Sequence, residues 1–112
     1  MTVHPTPLPS VPVTGVSPEA LLLDVREDDE WAAGHAPGAV HVPLQQLPSR
    51  LAELPTDRPV EVVCHLGGRS AQATAYLLQA GLDAKNVEGG MDAWERAGKP
   101  VVTDSGEPGR VL

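Results

Sequence analysis

Val60–Leu78 reads VEVVCHLGGRSAQATAYLL and holds the only cysteine of the chain. The residues before Cys64 have the apolar, β-branched bias of a buried strand. The loop residues His65, Leu66, Gly67, Gly68 and Arg69 follow. From Ser70 the spacing turns helical: Ala73, Thr74, Leu77 and Leu78 share one face, and Gly81 supplies a stop. A strand that runs through a short loop into a helix is the building block of a parallel sheet.

The same alternation extends outward from this unit. Upstream, Ser17 is a plausible cap with Pro18 at the first helical position of a short turn. LLLDV (21–25) is then a continuous apolar run, the mark of a strand covered on both faces. EDDEWAAG (27–34) predicts a short acidic helix stopped by Gly34, AVHVP (39–43) a short strand, and LPSRLAEL (47–54) a helical segment. PTDRP (55–59) is a loop. Downstream, AKNVE (84–88) predicts a strand, Gly89-Gly90 a turn, and MDAWERAG (91–98) a final helix. The expected class is α/β, with a mostly parallel central sheet of about five short strands flanked by helices on both faces. Ligands in such sheets sit beyond the carboxyl ends of the strands.

Prolines at 5, 7, 9 and 12 favour extended chain and oppose helix or central strand, so residues 1–13 read as a proline-rich arm. Residues 14–102 are the domain, and TDSGEPGRVL (103–112) reads as a second loose tail. A chain of 112 residues suits one domain. Aromatics are 3% and phenylalanine is absent, so the core must be built from Val, Leu and Ala. The net charge of −7 argues against nucleic acid and anionic membrane as partners. One cysteine excludes an internal disulfide, a Cys-rich zinc site and a C-x-x-C pair, which fits a reducing compartment. With no signal-peptide pattern at the N-terminus and no apolar run of membrane-spanning length, the expected location is the cytoplasm.

The position of Cys64 has chemical consequences. A helix start offers unpaired N–H groups and the positive end of the macrodipole. Gly67 and Gly68 let the loop curl so that its N–H groups converge as an anion nest. A thiolate held there is stabilised and becomes the nucleophile. Arg69 adds a permanent charge suited to an oxyanion, and its place at a helix start gives no dipole benefit. Arg69 is therefore expected to serve donor capture more than folding. A buried structural cysteine would need neither the two glycines nor the arginine.

The remaining candidates each have a plainer reading. Asp24 and Arg26 end a strand near the Cys64 loop. Asp24 reads mainly as half of a structural ion pair, while Arg26 divides between that role and orienting a substrate. His65 either favours an anion or shapes the pocket wall. His35 lies in a shaped turn, and His4 and His41 carry no signal. Trp31 and Trp94 read as packing anchors. Asp28, Asp29 and Glu30 read as the solvated acidic first turn of a helix, not as a metal site.

Four stretches, in order over about residues 16 to 101, carry a family likeness. CHLGGRS (64–70) resembles the Cys-x-x-Gly-x-Arg-Ser loop of rhodanese-like domains. LLLDVREDDEW, GHAPGAVHVP and VEGGMDAW resemble three further motifs of that family, with Ala36 where isoleucine is usual. The resemblance implies a sulfurtransferase. Cys64 would take the outer sulfur of a donor such as thiosulfate or a persulfide. The resulting Cys64 persulfide would pass it to cyanide, a thiol or a partner protein's thiol. The backbone N–H groups from His65 to Ser70, through Leu66, Gly67, Gly68 and Arg69, would hold the sulfur or the donor. No metal and no organic cofactor is implied.

Two other classes compete. Cysteine-dependent phosphatases and arsenate reductases use a Cys-x5-Arg loop, whereas four residues separate Cys64 from Arg69. The present loop is one residue short for ringing a tetrahedral phosphoryl group. A sulfur-carrier or regulatory interaction module is the other alternative.

Overall fold

The structure, a computed structural model, describes residues 7–112, so His4 and Pro5 lie outside the described residues. Among these, five strands form one sheet, all neighbours parallel: β1 (Ser10–Pro12), β2 (Leu21–Asp24), β3 (Val40–His41), β4 (Val60–Val63) and β5 (Ala84–Glu88). Their order is β1-β5-β4-β2-β3, which puts β4 at the centre. The helices are α1 (Asp28–Ala33), α2 (Leu47–Arg50), α3 (Gly68–Gln79) and α4 (Gly90–Arg96).

Strand parity decides what each face buries. Val60, Val62 and Cys64 point with Leu23, Val25 and Val42 into one apolar layer, completed by Leu47, Leu54, Ala73 and Leu77. Val63 and Leu22 point the other way, where Val87, Met91 and Trp94 close a second layer. Glu61 shares that other side of β4; it is buried and accepts the Ser17 N–H at 2.8 Å. The helices on both faces are thus required by a strand that is apolar on both.

Several elements differ in detail from expectation. α3 starts at Gly68, two residues before Ser70, and Gly81 follows its end with φ of +90°. Leu78 is only partly buried, while Ser70, Ala73, Thr74 and Leu77 form the covered face. The segment 47–54 is one helical turn followed by a 3-10 turn at Leu51–Glu53, enough to bury Leu47 and Leu54. The proline-rich arm contributes β1, where Pro12 is tolerated because the strand lies at an edge. The C-terminal tail folds back on the domain. Val102 bridges both His35 and Pro108, and the Arg110 N–H donates to the Ala33 carbonyl at 2.9 Å. No helix among the described residues is long and apolar enough to cross a membrane.

Candidate active site

β4 delivers Cys64 at its carboxyl end, and α3 begins four residues later. The free thiol is buried, with 1% exposure. The Gly67 N–H donates to Sγ at 3.1 Å, and the Ser70 hydroxyl lies 3.2 Å from it. Burial pushes the Cys64 thiol up. The Ser70 hydroxyl and the backbone N–H groups of Ser70, Gly67 and Leu66 outweigh that, so the net shift is downward. Of the two glycines expected to curl the loop, only Gly67 takes a left-handed conformation, at φ +113°. Gly68 is already the first residue of α3.

Two supports of this loop were not read from the sequence. The N–H groups of Met91 and Asp92 donate to the carbonyls of Cys64 and His65 at 2.7 and 3.0 Å. In a trans peptide the N–H opposes the C=O, so this docking turns the N–H groups of His65 and Leu66 away from α4. Gly90 allows the approach: a Cβ there would lie 2.3 Å from the Cys64 carbonyl oxygen and 2.5 Å from that of His65. The second support is Asn86 on β5, whose Nδ2 donates to the Gly67 carbonyl at 3.3 Å. A polar side chain within a covered strand was the available signal for Asn86. For Gly90 the expectation of a turn hid a contact made 25 and 26 residues away in the chain.

Arg69 is placed otherwise than expected. Its Nη1 and Nη2 donate to the two carboxylate oxygens of Glu30 at 2.7 and 2.9 Å. Glu30 is therefore not a freely solvated residue of an acidic turn. Its Oε1 also accepts the Glu27 N–H at 2.9 Å, closing a capping box at the start of α1. The Arg69 hydrogen bonds hold Glu30 down to about 2, and Arg69 is raised by the same contact.

Asp24 and Arg26 form a buried ion pair at 2.8 Å, and the Arg26 guanidinium also donates to the Gly34 carbonyl at 2.8 Å. Both are fully buried, so their contacts tie the end of β2 to the end of α1. The orienting reading of Arg26 gains no contact with Cys64; its charge acts on Glu30 instead. His65 is partly buried with its carbonyl docked on α4, and Leu66 is 66% exposed at the loop surface.

The remaining aromatic groups serve packing. Trp94 is buried and donates to the Pro100 carbonyl. Trp31 is only half-buried and lies between two imidazoles, with ring centroids 3.5 Å from His35 and 4.8 Å from His41. A carbonyl only accepts, so His35 donates through Nδ1 to Trp31 and His41 through Nε2 to Arg26. His41, which carried no signal in the sequence, thus braces the segment after β2.

The fold has counterparts among known proteins. The family model for the Rhodanese-like domain matches residues 15–97. A sulfurtransferase of Allochromatium vinosum is 43% identical over 89 residues, covering 79% of this chain and 83% of that protein. The crystal structure of a rhodanese-related protein from Thermoplasma volcanium superposes with a TM-score of 0.82 at 32% identity, covering 86% of this chain and 99% of that one. A larger protein, reduced CoADR-RHD of Bacillus anthracis, matches at a TM-score of 0.74 and 32% identity over 78% of this chain, which spans 16% of that one. The motifs, the five-stranded parallel sheet and the matched length converge: this chain belongs to the rhodanese-like domain family.

Proposed function

We propose that the protein is a sulfurtransferase that works through a persulfide on Cys64. The observation that carries this reading is the convergence of the Ser70 hydroxyl and the Ser70, Gly67 and Leu66 N–H groups on one lone thiol. These groups favour the thiolate and can hold a second sulfur in the same place. In the first half-reaction the Cys64 thiolate attacks the outer sulfur of a donor. With thiosulfate, the S–S bond breaks, sulfite leaves, and Cys64–S–S⁻ remains. In the second, an acceptor thiolate or cyanide attacks that outer sulfur and the Cys64 thiolate is released. No second cysteine exists in the chain, so relief of the persulfide needs an outside acceptor. A free thiol of this kind works in a reducing compartment, which favours the cytoplasm.

The phosphatase reading is weaker. A phosphoryl group would need the guanidinium that Glu30 already occupies. A carrier role shares the first half-reaction and differs only in turnover. Intact mass after incubation with a sulfur donor is the test. The expected result is a gain of one sulfur atom in the parent and none in Cys64→Ser. An equal gain in the serine variant overturns the reading.

A further inference from the structure

A sulfur donor presents a charge and a leaving group as well as its reactive sulfur. Both meet the protein around Arg69 and Leu66. An oxyanion that seeks Arg69 must displace a carboxylate bound through both oxygens, at 2.7 and 2.9 Å. That carboxylate is itself fixed by the Glu27 N–H at 2.9 Å. The ionised groups acting on Arg69 are Glu30, the Cys64 thiolate and Glu27, all negative. Arg26, the other cation that reaches Glu30, is buried against Asp24. A dianion approaching Cys64 therefore finds the Arg69 charge already neutralised by Glu30, on a chain of net charge −7. Two residues after Cys64 the loop presents Leu66, an apolar side chain 66% exposed and available to a donor's leaving group.

We propose that Glu30 is a specificity-determining residue: by occupying Arg69 it tunes the Cys64 loop to organic persulfides, R–S–SH, which carry at most one negative charge, over doubly charged sulfur oxyanions, with Leu66 meeting the organic group. This deepens the sulfurtransferase reading and rests on it. The step balances without a further reactant. The Cys64 thiolate bonds to the outer sulfur, the donor S–S bond breaks, R–S⁻ leaves with the electron pair, and Cys64–S–SH keeps the proton.

The test measures kcat/KM for loading Cys64 from thiosulfate and from the persulfide of N-acetylcysteine methyl ester. The parent should prefer the persulfide. Glu30→Gln should improve thiosulfate by about tenfold, mainly through KM, and the singly charged persulfide by no more than about threefold. Leu66→Ser should weaken the persulfide more than thiosulfate. A readout on the unaltered protein guards against a misfolded variant: added salt should speed loading from thiosulfate by screening repulsion, and speed loading from the persulfide less. A parent that prefers thiosulfate, a donor ratio unmoved in folded Glu30→Gln, or thiosulfate loading slowed by salt overturns the proposal while sulfurtransfer stands. Loading of Cys64 by neither donor overturns both.

Discussion

Cys64 answers two opposed demands. Its burial disfavours a thiolate, and four donors around the sulfur restore it. Ser70 is the decisive neighbour because its hydroxyl and its N–H both contribute, and the residue is itself fully buried. Ser70→Ala should therefore raise the thiol pKa toward the roughly 8.5 of a free cysteine. The measurement is the pH midpoint of iodoacetamide alkylation, which in the parent should fall below that value. An unchanged midpoint in the alanine variant would show that the N–H groups suffice. The same shift couples to stability. Because the folded thiol titrates lower than the unfolded one, its contribution is complete above the unfolded pKa and is lost as pH falls through the folded value. Arg69 shows where reading by residue type stops. Its type and place suggested donor capture, but its partner sits 39 positions away and no local pattern announces it.

At the scale of elements, the loop depends on α1 and α4 as much as on β4 and α3. Gly90→Ala would force a Cβ into the Cys64 and His65 carbonyls from a left-handed backbone at φ +57°. It should cost about 3 kcal/mol, read as a lowered melting temperature, and should misplace the loop. Gly68→Ala is the control. Nothing lies within 4 Å of a Cβ there, so it should melt within a few degrees of the parent. The tie from α1 to α3 is the Glu30–Arg69 pair, in which Arg69 is about one-third exposed. Arg69→Ala should lower stability by about 1 kcal/mol once solvent screening is allowed for, a larger part in folding than an expectation centred on donor capture gave it. Glu30 titrates lower folded than unfolded. The pair's contribution is full above about 4.5 and fades as pH falls toward about 2. Acid unfolding of Arg69→Ala, followed by circular dichroism, should lack that part of the pH dependence.

Across the whole molecule, the legible parts were those written locally. Apolar runs gave β2 and β4, and the 3.6-residue spacing gave α3, because strand and helix period act within one segment. Less legible were the ends, where partners are distant. β1 exists because Val11 aligns with Val87 of β5, and the tail is ordered by Ala33, Val101 and Val102. Val111 packs on the second apolar layer, and Asp104 lies 3.3 Å from His35. Deleting residues 103–112 should therefore cost about 1–2 kcal/mol and lower the melting temperature by several degrees, while leaving the Cys64 loop loadable. A truncated chain with unchanged melting would mean that the tail rests on the domain without supporting it.

The alternation along β4 also bears on how such a sequence can vary over generations. Cys64 faces α3 because it is an even number of positions from Val60 and Val62. Exchanging one valine for isoleucine keeps that arrangement. Inserting or deleting a single residue between Val60 and Cys64 reverses it and delivers the sulfur to the layer of Met91 and Trp94. The length of this strand is therefore under as tight a constraint as the cysteine itself: a change of letter can be absorbed, a change of number cannot.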